Sequence, residues 1–193
     1  MQIKKLLILA SILLTAVCSS YAQSPQPQIE GFWGVKLGES ENTVVRTVRQ
    51  SYPSANYAKD TTGHPFTVGS CKLAGLDVTN CQFTFTNGIF TQAKFNKSAG
   101  WKQIHVSRVQ SFLNSISQNM QSDYQEFCEA ISEKYGTPRV AGQTVTWRTS
   151  NGNSITIKPW VKEDSGIVFD DGTTFAGMGF YIIYSKGSHL NDF

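Results

Sequence analysis

Apolar and polar residues alternate most cleanly over Cys81–Phe95, Cys-Gln-Phe-Thr-Phe-Thr-Asn-Gly-Ile-Phe-Thr-Gln-Ala-Lys-Phe. Alternation with a period of two is the mark of a strand with one buried face, and Asn87-Gly88 in its middle is a strong hairpin signal. Cys81, Phe83, Phe85, Ile89, Ala93 and Phe95 form an odd-numbered apolar set, with Gln82, Thr84 and Thr86 between them. A two-residue Asn-Gly loop pairs Phe85 with Phe90 and sets Ile89 and Phe95 against the polar face. A three-residue loop, Thr86-Asn87-Gly88, pairs Phe85 with Ile89 and Phe83 with Thr91 and keeps the odd set together. Because a one-residue slip turns every side chain over, the sequence favours the three-residue loop, with Gly88 left-handed at a bulge and Phe90 pointing outward. The same device recurs at Ser150-Asn151-Gly152, where a three-residue loop pairs Trp147 with Ile155 and Val145 with Ile157.

Helical spacing takes over elsewhere. Ser40 is an N-cap with Glu41 in the first turn; Val44, Val45, Val48 and Tyr52 follow at intervals of three and four, and Pro53 ends the segment. Val106, Val109, Phe112, Leu113, Ile116 and Met120 predict a helix over 104–120. A second helix, capped by Ser122 or Asp123, carries Tyr124, Phe127, Cys128, Ile131 and Tyr135 on one face and stops at Gly136 and Pro138. Strands are predicted at 66–73, 76–85, 89–96, 140–149, 153–160 and 175–185, with a turn at Lys97–Gly100 and a loop over 161–174. The expected fold is α+β: antiparallel sheet with helices packed on one face, one domain of two αβββ-like units at about 29–97 and 122–186 joined by a linking helix.

The N-terminus changes the compartment. Lys4 and Lys5 precede the apolar run Leu6–Val17, and Ser20-Tyr21-Ala22 reads as a small-x-small cleavage site, so residues 1–22 read as a signal peptide and 23–193 as the exported domain. The destination is the periplasm or the cell exterior. A lipid-modified Cys18 is the alternative, but Thr15-Ala16-Val17 fits a bacterial lipobox poorly. No later stretch is long and apolar enough to span a membrane.

Loss of residues 1–22 takes two lysines and no acid, so the 17 Lys and Arg fall to 15 against 14 Asp and Glu. A charge near +1 leaves no electrostatic footprint for nucleic acid or a membrane surface. Three cysteines remain, Cys71, Cys81 and Cys128. If Gly75–Asp77 is a three-residue turn, Cys71 and Cys81 lie opposite each other and form a candidate disulfide; the other reading is two small core residues. Cys128 reads as a buried thiol.

Two motifs carry a resemblance. Leu37-Gly38-Glu39-Ser40 followed by Val44 opens a helix, and Ile131 through Lys134-Tyr135-Gly136-Thr137-Pro138 closes one. These resemble exported proteins of Bacteroides-type bacteria built on β-lactamase-inhibitor-protein-like units, and the helix-on-sheet layout is similar to that of BamE, the outer-membrane assembly lipoprotein. The resemblance is one of architecture and transfers no functional residue. It implies a binding or inhibitory module that uses a sheet face or loops.

Candidate chemistry is sparse. His64, His105 and His189 are isolated, and Asp164, Asp170 and Asp171 share a loop without the EF-hand pattern. Glu126, Glu129 and Glu133 read as the solvated face of a helix. No nucleophile-elbow, zincin, P-loop or dinucleotide motif is present. The sequence therefore nominates no catalytic residue, metal ligand or cofactor. It points to a non-catalytic module for a protein partner in an inhibitory or envelope-assembly role, with Trp33, Phe90, Trp101 and Trp160 as candidate partner contacts. The alternative is a carbohydrate- or peptidoglycan-binding module, which requires coplanar exposed aromatic rings.

Overall fold

The computed structural model describes residues 27–57, 66–163 and 168–187. The expected signal peptide, Cys18, His64, Asp164 and His189 lie outside the described residues.

Strands β1 (Gly31–Phe32) and β2 (Val35–Lys36) form a small hairpin ahead of helix α1 (Glu41–Ser51). Next come β3 (Asn56–Tyr57), β4 (Phe66–Val68), β5 (Cys71–Leu73), β6 (Leu76–Val78), β7 (Asn80–Thr86) and the long β8 (Ile89–His105). A 3-10 turn, Val106–Arg108, leads into α2 (Val109–Tyr135), and β9 (Arg139–Ala141), β10 (Thr144–Arg148), β11 (Ser154–Glu163) and β12 (Thr173–Ser185) complete the fold. Eight strands make one antiparallel sheet in the order β3-β4-β7-β8-β12-β11-β10-β9; β1-β2 and β5-β6 are separate two-stranded pairs. The fold is α+β with helices on an antiparallel sheet, as the hydrophobic pattern predicts.

The two halves meet where the last strand of each, β8 and β12, pair from Gln92–Ser185 to His105–Thr173. One core cluster runs across both halves. It takes Val44 and Val48 from α1, Phe127 and Ile131 from α2, Phe83 and Phe95 from β7 and β8, and Ile157, Phe180 and Ile182 from β11 and β12. Both helices thus bury their apolar stripes on the same face of the sheet. A smaller cluster of Leu113, Ala176 and Met178 lies under the first half of α2.

The predicted caps are in place. Thr43 N–H donates to Ser40 Oγ at 3.4 Å, and Gly136, at φ 78°, closes α2 through its N–H to the Ser132 carbonyl at 2.8 Å. The Trp147–Ile155 and Val145–Ile157 pairs also form, around the left-handed Gly152.

Three expectations fail. The Asn87-Gly88 hairpin turns on two residues, both left-handed (φ 53° and 72°), and pairs Phe85 with Phe90. A bulge then leaves Thr91 unpaired, which returns Phe83 and Ala93 to register and keeps Cys81, Phe83, Ala93 and Phe95 on the buried face. Thr91 is held there by its hydroxyl to the Thr84 carbonyl, while its own carbonyl accepts Lys186 N–H. Phe90 therefore points inward and is fully buried. Its backbone exchanges hydrogen bonds with Gly38 and Glu39, docking the lead-in of α1 on the hairpin tip.

The two predicted helices are one, because nothing at Gln121–Asp123 interrupts the i to i+4 ladder; neither Ser122 nor Asp123 is a cap. Lys97–Gly100 is a continuation of β8 with a bulge at Ala99, since Met178 pairs with Gly100 and Gly179 with Ser98. β11 and β12 reach correspondingly further into 161–174: Glu163 pairs with Ala176, and Thr173 pairs with His105 of β8.

Candidate functional site

α2 and the core occupy one face of β8, β12 and β11, and among the described residues no element covers the other, open face. Alternation along the strands settles which side chains stand on it. On β12 the even residues Ala176, Met178, Phe180, Ile182 and Tyr184 face the core, so Phe175, Gly177, Gly179, Tyr181 and Ile183 face outward. Their registered neighbours Trp101 and Lys94 on β8 and Lys158, Trp160 and Lys162 on β11 share that face.

These side chains form an aromatic row. Phe169 meets the edge of Phe175 at 5.7 Å between ring centroids; Phe175 lies parallel to Trp101 at 5.8 Å and 2°. Trp101 meets Trp160 at 6.4 Å, and Trp160 stacks on Tyr181 at 6.0 Å. Trp101 is the most open of the tryptophans, 43% exposed. Trp160 is half-buried and anchored by its Nε1–H to Asn96 Oδ1 at 3.1 Å.

Glycine makes the row possible. A Cβ on Gly177 would lie 2.5 Å from Cε3 of Trp101, and one on Gly179 would lie 2.9 Å from Cζ2 of Trp160. Both indoles therefore lie down on the β12 backbone. The sequence signal for this was the Gly177-x-Gly179 pair inside an apolar strand, since glycine in a strand interior marks a close approach. Phe175, Tyr181, Lys94 and Lys162 had no comparable signal.

The face is basic as well as aromatic. Lys94 Nζ stands 5.0 Å from the Tyr181 ring centroid and Lys162 Nζ 5.3 Å from that of Trp101. Lys158 and Arg148 are exposed on the same side. No Asp or Glu occupies a described outward position on β7, β8, β10, β11 or β12.

The other nominated residues lie elsewhere. Trp33 packs among Phe32, Tyr52, Phe83 and Phe95, and its Nε1–H donates to the Lys72 carbonyl at 2.7 Å, fastening the β5-β6 hairpin to the core. It is a structural residue on the helix side. Phe90 belongs to the core and offers no contact surface.

Cys71 and Cys81 are free, buried thiols. The β5-β6 hairpin turns at Ala74-Gly75 and not over Gly75–Asp77, so Cys71 pairs with Val78 while Cys81 pairs with Val68 and Phe95. Burial pushes the Cys71 thiol up to about 12 and holds Cys81 well above the ordinary thiol value, which disfavours the thiolate that attacks or ligates. Cys128 is buried too and outside any disulfide.

His105, Ser107 and Asp171 come together at the tip of the sheet. Ser107 N–H donates to His105 Nδ1 at 3.3 Å, and Asp171 accepts Thr173 N–H at 2.9 Å. A proton relay needs the carboxylate on one ring nitrogen and the hydroxyl on the other. Here Ser107 uses Nδ1 for both of its contacts and Asp171 accepts from Thr173, so the group caps the turn. Among the described residues no set of three or more His, Cys, Asp or Glu is placed to hold a metal ion, and no helix is long and apolar enough to cross a membrane.

The chain matches no family model, no curated protein and no solved structure.

Proposed function

We propose that this protein is a non-catalytic binding module, exported to the periplasm or beyond the cell, that engages a protein partner through the open face of β8, β12 and β11 in an inhibitory or envelope-assembly role. The observation that carries this reading is the half-exposed row from Phe169 to Tyr181 on a sheet whose other face is filled by α2. Tryptophan and tyrosine are enriched among the energetic centres of protein interfaces, and a polar, solvent-accessible rim surrounds them. Trp101 and Phe175 supply area at low entropic cost because neighbours and backbone already fix their rings.

A carbohydrate is the second reading, favoured by one observation, the parallel planes of Trp101 and Phe175. The steeper 66° angle between Trp101 and Trp160 breaks the flat platform that such a ligand stacks on.

The test is parallel capture from the envelope fraction of the source organism by the wild type and by Trp101→Ala, with bound material analysed for both protein and glycan. A stoichiometric protein retained by the wild type and lost by the variant supports the first reading. Glycan without protein supports the second. Equal capture by both forms removes the open face from either.

A further inference from the structure

β8 is paired unevenly. On one side β12 accompanies it to His105, whereas on the other β7 stops at the Asn80–Asn96 pair. Thr79 closes that corner, its N–H on the Asn96 carbonyl and its hydroxyl taking Ser98 N–H. From Gly100 to His105 no strand among the described residues pairs with the outer edge of β8. An edge of this kind is a row of backbone donors and acceptors in strand geometry.

Apolar surface lies half-covered on both sides of the edge. Trp101 stands above it; Ile104, Phe112 and Ile116 lie below, packed around a cluster with only three fully enclosed members.

Charge selects what is added. Lys102 is exposed on the edge with its Nζ 4.5 Å over the Phe112 ring on the α2 side, and Arg108 is exposed in the turn that follows. A second copy is a poor occupant: two-fold antiparallel pairing centred anywhere over 101–103 sets the two Lys102 side chains directly or diagonally opposite, a repulsive placement. The bulge at Ala99 further limits self-pairing at one end.

We infer that the Gly100–His105 edge of β8 accepts an extended, acidic segment of a partner protein as an added strand, with alternate apolar side chains beside Trp101 on the open face and carboxylates against Lys102 on the α2 side. The inference rests on the protein-binding reading above and specifies its mode. Backbone bonds hold such a strand and alternate side chains select it.

The probe is an acetylated eight-residue peptide alternating valine and glutamate, with a lysine-for-glutamate version as control, added to the protein at millimolar concentration. Amide hydrogen exchange is read residue by residue. The acidic peptide is expected to slow exchange within Gly100–His105 about tenfold or more, and the basic peptide to leave it unchanged. Lys102→Glu, checked for an unchanged urea midpoint, is expected to weaken the acidic peptide by about tenfold and to admit the basic one. No slowing by the acidic peptide, equal slowing by both, or concentration-dependent slowing without peptide (the mark of a second copy) overturns the inference. If Trp101→Ala still abolishes protein capture while the edge amides are indifferent to peptide, the open-face reading survives and the added strand does not.

Discussion

Trp101 and Gly177 are registered across the β8–β12 ladder, and the indole occupies the space that a side chain on Gly177 would need. The contact fixes the most exposed ring of the open face without a hydrogen bond. Gly177→Ala must either push Trp101 off the strand or bend the backbone beside Gly100, whose carbonyl lies 2.5 Å from the same Cβ position. The expected cost is about 1–3 kcal/mol in urea unfolding, with a changed Trp emission in the folded state. An unaltered midpoint and spectrum would mean that the ring does not lie over this glycine.

Phe90 tests the hairpin register. Fully buried among Phe32, Phe83 and Phe85, it is expected to cost about 3–5 kcal/mol as Phe90→Ala. A residue pointing to solvent, as strict odd-even alternation predicts, would change stability by less than about 0.5 kcal/mol. Equilibrium denaturation separates the two.

The contrast between the two Asn-Gly hairpins shows what was legible in the sequence. At Asn151-Gly152 parity alone gave the pairs, because no bulge interrupts the ladder beyond the turn. At Asn87-Gly88 the parity argument was sound for Phe83 and Phe95 but missed the compensation at Thr91, whose carbonyl is taken by Lys186, a residue 95 positions away. A bulge stabilised by a distant N–H leaves no local trace. Helix caps at Ser40 and Gly136 were readable because capping is local. Of the candidate site, Trp101 and Trp160 were readable as tryptophans near element ends, but their assembly depends on how β8 and β12 pair, and that register is a tertiary fact.

Asn153 joins three parts of the chain. Its Nδ2–H donates to the Ile29 carbonyl at 2.6 Å and its Oδ1 accepts Gly187 N–H at 2.9 Å, while Asn151 Nδ2–H reaches the same Ile29 carbonyl. Asn153→Ala takes the acceptor from Gly187 N–H and one of two donors from the Ile29 carbonyl, and is expected to cost about 1–3 kcal/mol. Asn153→Asp removes the amide donor while keeping the acceptor, and it should also destabilise. If limited proteolysis near residues 27–30 is no faster in either variant, the latch does not secure the N-terminal segment.

The buried thiols give a pH signature. Burial raises Cys71 from the ordinary 9.0 to about 12, and Cys81 moves the same way. An unfolded chain releases these protons first, so above pH 9 the unfolded state holds fewer protons than the folded one and stability falls with rising pH. The contribution is complete below pH 9 and fades as pH climbs toward 12. Urea midpoints across this range should decline for the wild type and decline less for Cys71→Ala. In the native state at pH 8 both thiols should react with a disulfide reagent far more slowly than in urea.

The open face is the central claim, and site-specific photo-crosslinking addresses it most directly. A benzophenone side chain is placed at Lys158, outward on β11, and in a second protein at Glu129, exposed on α2. After illumination in envelope extract, the account predicts a discrete protein adduct from position 158 that disappears when Trp101→Ala is combined with it, and none from position 129. An adduct from position 129 alone, or one from 158 that is indifferent to Trp101→Ala, would contradict it.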